Sequence, residues 1–130
     1  MIQFFLPMIP PTVTAQEHKI AVIKGQPVVY DTPDIKNARQ KFMAHLSKHK
    51  PDEKYKGAVR LTVKWLFPIT GEHFDGEYKT TKPDTDNSQK LFKDCMTKVG
   101  FWKDDAQVAS EIIEKFYSKI TGIWVRVEEI

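Results

Sequence analysis

Four aspartates lie on either side of one predicted helix in this 130-residue chain. Asp84 and Asp86 precede the helix in "KPDTDN", and Asp104 and Asp105 follow it in "FWKDD". In an extended segment, residues i and i+2 point to the same side, and their Cα atoms lie about 6–7 Å apart. We therefore expect Asp84 and Asp86 to project together, at a spacing that suits one or two shared cations.

The chemistry that such carboxylates support is metal-assisted phosphate chemistry. Mg²⁺ takes carboxylate oxygens and keeps several waters, which suits phosphate substrates. Lys90 follows Asp86 by four residues on the same predicted helix face, where its ammonium could hold a scissile phosphate. Asn87 and Gln89 could position water or backbone. Asp105 cannot join Asp84 by local geometry, because a helix of ~13 residues is about 20 Å long. The four aspartates can form one site only if the tertiary fold brings Asp105 back towards Asp84 and Asp86.

Other interpretations of these acids remain open at this point. An aspartate at a helix start is common because it caps free N–H groups, so Asp84 or Asp86 could be a cap. "FWKDD" could be a solvated turn. A calcium loop fails, because Gln89 and Cys95 occupy the positions that require glycine and a bidentate glutamate. Zinc lacks the thiolates that it favours.

The elements that must position these residues follow from hydrophobic periodicity. "AVRLTVKWLF" alternates strictly and predicts the strongest strand, and the residues that follow it, up to Pro83, predict a long loop. Thr32 is a suitable cap for a first helix, whose buried stripe is Ile35, Ala38, Phe42 and Leu46. The second helix carries an apolar stripe and stops at Gly100. Its stripe comprises Leu91, Phe92, Cys95, Met96 and Val99.

The remaining segments complete a mixed α/β or α+β domain. Strands are predicted for "IQFFL", for two runs around "KGQP" that form a hairpin or flexible arm, and for "AQVASEIIEKFYSK" and "GIWVRVEEI". The predicted order is strand, hairpin, helix, strand, helix, strand, strand. This order predicts a small mixed β-sheet packed against two helices.

Bulk properties exclude several classes of protein. The length suggests a single domain, and the longest apolar runs are too short to span a bilayer. The net charge of +3 permits a polyanionic partner without requiring one. One cysteine, Cys95, excludes a disulfide framework within the chain and reads as a small buried hydrophobe. With no secretion signal evident, we expect a cytoplasmic protein.

The stretch "DTDNSQKLFKDCMTKVGFWKDDAQV" resembles the signature of the RusA-type Holliday junction resolvases, which are typical of phages and prophages. The pattern is D-x-D-N-x-x-K, a helix, and then G-x-W-x-D-D-x-Q-V. The spacing is fixed, the motif covers about a fifth of the chain, and every position is matched. The matching residues are Asp84, Asp86, Asn87, Lys90, Gly100, Trp102, Asp104, Asp105, Gln107 and Val108.

The resemblance implies a single RusA-like endonuclease domain over residues 1–130. It implies a Mg²⁺- or Mn²⁺-dependent homodimer that makes paired, symmetric nicks in four-way junction DNA, in recombination and repair, in the cytoplasm of a bacterial host. By the same resemblance Asp84, Asp86 and Asp105 bind metal and Lys90 is the catalytic lysine, while Asp104 is a weaker match. Apolar strand faces and the helix stripe of Ile35, Phe42 and Leu46 are possible dimer interfaces.

The chain departs from the family pattern in two places. Members often carry arginines before the first aspartate, where this chain has "YKTTKP". Lys79 and Lys82 of this segment are possible DNA-binding residues, which offer charge to the phosphate backbone but no bidentate contact. The segment 16–29 matches poorly, and we expect either a DNA-facing arm, carrying His18, Lys19 and Lys24, or a plain hairpin. Three rival functions remain: a non-catalytic branched-DNA-binding module, a nuclease for another nucleic acid, and an α/β interaction protein.

Overall fold

The computed structural model describes residues 1–12 and 18–130, with the backbone alone described for residues 18–21 and 28–31. The order of elements is the predicted one. None of the helices in these described ranges is long and apolar enough to cross a membrane. The elements are β1 (Ile2–Leu6), β2 (His18–Ile23), β3 (Gln26–Asp31), α1 (Pro33–Leu46), β4 (Val59–Pro68), α2 (Thr85–Val99), β5 (Val108–Ser118) and β6 (Gly122–Glu129).

A four-stranded mixed sheet in the order β1-β6-β4-β5 forms the centre of the fold. β4 pairs in parallel with β5 and antiparallel with β6, and β1 pairs antiparallel with β6. Two helices accompany this sheet, which confirms the predicted mixed α+β class. Because α2 connects two adjacent parallel strands, its first turn follows the end of β4 and its last turn leads into the start of β5.

The core is built from the alternating face of β4 and from the two helix stripes. Every second β4 residue from Val59 to Phe67 is at most 3% exposed, as its pattern predicts. Phe42 of α1, Trp65 of β4 and Phe92 of α2 pack edge to face, with ring centroids 5.1 to 6.0 Å apart. This geometry is the favourable one for aromatic rings, and it ties both helices to the central strand.

The apolar stripe of the first helix packs into the hydrophobic core of its own chain. Thr32 Oγ1 accepts a hydrogen bond from Ile35 N at 3.4 Å, which confirms the predicted cap. Ile35, Phe42 and Leu46 are at most 1% exposed. The expectation that this stripe forms a dimer interface was therefore wrong, because the same side chains already fill the core.

The predicted hairpin forms a separate two-stranded sheet, β2–β3. Its two-residue turn contains Lys24 and Gly25 with φ of 52° and 76°, a left-handed pair that matches the twist of a tight hairpin. Lys24 is exposed at this tip. The side chains of His18 and Lys19, and residues 16 and 17 of the predicted arm, lie outside the described residues, so DNA contact by this arm stays a prediction.

Cys95 is fully buried in α2. Burial raises the pKa of its thiol to about 11, and the nearby Arg39 only partly opposes this rise. The thiol is therefore protonated at neutral pH and packs as a small hydrophobic side chain, as predicted.

Candidate functional site

The second helix begins at Thr85, so Asp86 already lies in its first turn and Asp84 is the N-cap. The expectation that both aspartates project from one extended segment was therefore wrong. Asp84 has extended backbone (ψ 147°), and its carbonyl accepts from Ser88 N at 3.3 Å, but its carboxylate makes no capping hydrogen bond. The carboxylate of Asp84 is thus not used as the cap that its position suggested.

A cleft of about 200 Å³ separates one face of α2 from the start of β5. Its helix side consists of residues at i, i+3, i+4 and i+7, which share one face of a helix. The spacing of Asp86 and Lys90 therefore places both on the cleft, as predicted. The lining residues are Asp86, Gln89, Lys90, Lys93, Asp105, Glu111 and Ile113.

The turn after α2 folds inward and holds Asp105. Gly100 ends the helix with φ 112°, and Phe101 and Trp102 are fully buried, whereas Lys103 and Asp104 are exposed. The interpretation of this segment as a solvated turn was therefore wrong for its two aromatic residues and right for the two charged residues that follow them. Trp102 Nε1 donates to Thr97 Oγ1 at 2.7 Å and to Asp105 Oδ1 at 3.5 Å. The Thr97 hydroxyl in turn donates to Asp105 Oδ1. These bonds fix the Asp105 carboxylate against the last turns of α2.

Asp104 and Gln107 form a reciprocal cap on a short 3₁₀ turn, Asp105–Gln107. Asp104 Oδ1 accepts from Ala106 N at 2.9 Å, and Gln107 Oε1 accepts from Asp104 N at 3.1 Å. The Asp104 carboxylate therefore stabilises the turn that presents Asp105. A supporting role for Asp104 beside a metal stays a prediction, and so does one for Asn87, which is half-buried on α2.

Asp86 and Asp105 line the same cleft, but the predicted acids do not gather around one point. Thr97, to which Asp105 is bonded, follows Asp86 by eleven residues, or about 16 Å of helix axis. Within residues 1–12 and 18–130, no three His, Cys, Asp or Glu side chains form a group that could hold an ion. Asp84 stands outside the residues that line the cleft.

Two charged residues that the sequence did not single out also face the cleft. Lys93 Nζ lies 3.3 Å from Glu111 Oε1, so an ion pair bridges α2 and β5 across it. Glu111 pairs in register with Leu61, whose side chain is in the core, and so lies on the helix side of the sheet. This register depends on tertiary pairing, so no local sequence signal identifies Glu111.

Gln89 connects the cleft to the core. It is only 1% exposed, and its Oε1 accepts from Trp65 Nε1 at 3.1 Å. Its Nε2 finds no hydrogen-bond partner among the described residues. A buried donor without a partner is costly, so this amide favours an oxygen-bearing ligand or water in the adjacent cleft.

The predicted DNA-binding lysines differ in how they are held. The Lys79 Nζ lies 4.8 Å from the ring of Tyr117 and 5.4 Å from that of Phe67. It also donates to Thr81 Oγ1 at 2.6 Å. Lys82 is exposed. Lys79 is thus anchored on aromatic rings, whereas Lys82 is open to a partner.

Lys115 of β5 was not among the residues predicted from the sequence, and it lies beside the start of α2. Its Nζ donates to the carbonyls of Thr81 and Pro83, each at 2.7 Å. Burial, and then the charge of Lys79, lower the pKa of Lys115, while the Asp84 carboxylate opposes this lowering. Lys115 is therefore hydrogen-bonded to the loop before α2, and it interacts electrostatically with the Asp84 carboxylate.

The donor set facing the cleft fits a hard divalent cation. Asp86, Asp105 and Glu111 offer carboxylate oxygens, and among the described residues no thiol or imidazole lines the cleft. Mg²⁺ is typically held by one or two protein carboxylates, with waters and substrate phosphates completing its shell. Two carboxylate ligands, Asp86 and Asp105, are therefore of the type and number with which a protein binds Mg²⁺ or Mn²⁺. No three carboxylates of the described residues converge on one point.

Comparison with known proteins gives one family. The family model described as endodeoxyribonuclease RusA matches residues 9–128. The chain is 30% identical over 119 residues to a crossover junction endodeoxyribonuclease rusA of Lactococcus phage r1t, covering 90% of this chain and 89% of that protein. It is also 28% identical over 121 residues to the uncharacterized protein YqaN of Bacillus subtilis (strain 168), covering 85% and 84% respectively.

Proposed function

The chain belongs to the RusA family of endodeoxyribonucleases, and from this premise we propose that it resolves Holliday junctions by metal-dependent hydrolysis of DNA phosphodiesters. The observation that carries the proposal is that Asp86, Lys90 and Asp105 line one cleft. These three residues come from the two ends of the matched motif, and only the fold brings them to a common surface.

Each residue has a proposed role that its position supports. Asp86 and Asp105 bind Mg²⁺, for which Mn²⁺ can substitute, and Asp84, with its carboxylate uncommitted to the helix cap, joins them when substrate is bound. A divalent cation held there would supply a water of lowered pKa and would stabilise charge on the phosphodiester. Lys90 places its ammonium on the cleft, where it offsets charge that develops at phosphorus.

The supporting groups keep this site in shape. Trp102 and Thr97 hold the Asp105 carboxylate, and the Lys93–Glu111 pair spans the cleft between helix and strand. The Gln89 amide supplies a buried donor that is free to bind an oxygen. Preorganised groups of this kind lower the reorganisation that is needed when substrate enters.

We further propose that the chain acts as a homodimer in the cytoplasm of a bacterial host and makes paired, symmetric nicks. A four-way junction has approximate two-fold symmetry and requires two cuts. A C2 dimer supplies two equivalent sites related in the same way.

The experiment is cleavage of a labelled synthetic four-way junction in Mg²⁺, Mn²⁺ or chelator. Wild type is compared with Asp86→Asn, Asp105→Asn and a control, Asp52→Asn, which changes an exposed aspartate away from the cleft. We expect cutting that requires metal, that is lost in both cleft variants and that persists in the control. Normal cutting by Asp86→Asn would show that the metal site is assigned wrongly.

Two rivals give different results in the same assay. A non-catalytic branched-DNA-binding module would bind the junction tightly with no cutting under any condition. A metal-dependent nuclease for other branched nucleic acids would cut flaps or forks faster than junctions. The presence of Asp86 and Asp105 on one cleft favours catalysis, because carboxylates that face a cleft repel phosphate unless a cation neutralises them.

A further inference from the structure

A second cavity, of about 610 Å³, is lined in part by Lys103 and Gln107, which flank Asp105 in the turn after α2. Lys54, Lys56 and Lys103 line it, together with a single acid, Glu53, so three positive charges face one negative charge. All three lysines are exposed. In the described part of the chain, none of their ammonium groups makes an ion pair or hydrogen bond.

The lysines come from two segments that are bonded firmly to each other. Tyr55 N donates to Phe101 O at 2.9 Å. Gln107 Nε2 donates to the carbonyls of Tyr55 at 2.8 Å and Gly57 at 3.1 Å. Gln107 Oε1 accepts from Lys103 N at 2.9 Å. One glutamine side chain therefore joins the loop of Lys54 and Lys56 to the turn of Lys103.

The same glutamine links this cavity to the candidate catalytic cleft. Gln107 also completes the cap with Asp104 that presents Asp105. The backbone of both lysine-bearing segments is therefore bonded to the turn that presents the Asp105 carboxylate.

The local backbone sets the direction of two of the lysines. Tyr55 is extended and forms a parallel bridge with Trp102, and in extended backbone residues i and i+2 share one side. Lys54 and Lys56 therefore flank the cavity together. Lysine provides a compact charge with three rotatable donors, which suits the singly charged, oxygen-rich phosphodiester of a nucleic-acid backbone.

We propose that the cavity of Lys54, Lys56 and Lys103 is a DNA phosphate clamp, which holds the backbone of a junction arm beside the strand that enters the cleft. The proposal rests on the proposed function, and it adds a site away from the carboxylates. Its role is to set where the branch lies relative to Asp105. The clamp contributes to binding and to cut position, not to bond breaking.

The test is the salt dependence of junction binding in chelator, with every protein carrying Asp86→Asn so that no cutting occurs. The clamp variants are Lys54→Gln, Lys56→Gln and Lys103→Gln, singly and combined, and the matched controls are the exposed lysines Lys36→Gln and Lys119→Gln. Log Kobs falls as log salt rises, and each neutralised phosphate makes this slope steeper by about 0.9. The triple variant should lose one to two phosphate contacts, which corresponds to about tenfold or more in affinity at ~0.1 M salt. Each control should change the slope by less than half of the amount expected for one phosphate contact.

Thermal melting of the same proteins separates contact from folding. Lys54 Cε lies 3.6 Å from where a Cβ on Gly100 would be, so Lys54 also borders the C-terminal turn of α2, where a cation is favourable. We expect the salt slope to become shallower in Lys56→Gln and Lys103→Gln while their melting temperatures stay unchanged. A triple variant with the slope of the controls would overturn the clamp, and so would a slope change confined to Lys54→Gln with lowered melting.

Failure of the clamp is distinguishable from failure of the proposed function. If wild type cuts junctions but the triple variant binds them with the salt slope of the controls, only the clamp is contradicted. Wild type that neither binds nor cuts junctions contradicts the proposed function, and the clamp with it.

Discussion

At the scale of single residues, Lys90 lies one helical turn after Asp86 and lines the same cleft. If its ammonium offsets charge at phosphorus, Lys90→Ala should lower the single-turnover cleavage rate by about 10²–10³-fold, the usual cost of losing one such group. Junction affinity should fall by no more than a few-fold. Lys98→Ala, on the same helix but outside the cleft, is the control. Equal losses of rate and affinity would make Lys90 a simple DNA contact.

Gln89 gives a second prediction, on stability. Gln89→Leu leaves Trp65 Nε1 buried without its acceptor, so the free energy of unfolding should fall by about 1–3 kcal/mol. In a Trp65→Phe background the same change should cost less, because both polar partners are then absent. Denaturant unfolding of the four proteins measures the difference. An equal loss in both backgrounds would show that packing, not the hydrogen bond, is responsible.

Sequence alone predicted some of these residues and missed others for a physical reason. The spacing of Asp86 and Lys90 fixes a shared helix face, so both could be placed on one surface before the fold was known. Gln89 shares that helix face, but its bond to Trp65 depends on the packing of α2 on β4. Glu111 faces the cleft only through the pairing of β5 with β4, which no local pattern encodes. The conformation of Asp86 was misjudged, because it lies in the first turn of α2 and helix boundaries read from sequence are uncertain by a residue or more.

At the scale of elements, the turn between α2 and β5 determines where Asp105 lies. Thr97→Val removes the hydroxyl that donates to Asp105 and accepts from Trp102. We expect the cleavage rate to fall about tenfold, a loss of ~1.4 kcal/mol in transition-state stabilisation, with junction binding nearly unchanged. Thr97→Ser, which keeps the hydroxyl, is the matched control and should cut at close to the wild-type rate. A Thr97→Ser variant as slow as Thr97→Val would mean that the methyl group matters and the hydroxyl does not.

The elements themselves were largely predictable. The alternation in β4 and the cap and stripe of α1 are strong local signals, and they gave the observed order of strands and helices. The inward fold of Phe101 and Trp102 was not anticipated, because adjacent charges in "FWKDD" suggest solvent. The strand order β1-β6-β4-β5 depends on long-range pairing and has no local signature.

At the scale of the whole molecule, the proposed homodimer needs a surface that the core leaves free. The helices cover one face of the sheet, and Ile112 of β5, 45% exposed, lies on the opposite face with Thr62. We expect sedimentation at twice the 15.1 kDa chain mass, and a shift towards monomer in Ile112→Lys but not in Ile9→Lys. Ile9 is 67% exposed and lies before the hairpin, so it is a matched control. Wild type that stays monomeric at concentrations that saturate a junction would contradict the dimer.

Junction resolution is best tested by mapping the cut sites on a four-way junction with each strand labelled in turn. The assay is run beside a matched linear duplex, with wild type and Asp86→Asn, in Mg²⁺ and in chelator. We expect paired nicks at symmetric positions near the branch point, which require both metal and Asp86 and are absent from the duplex. Unpaired nicks, equal cutting of the duplex, or nicks that persist in Asp86→Asn would contradict it.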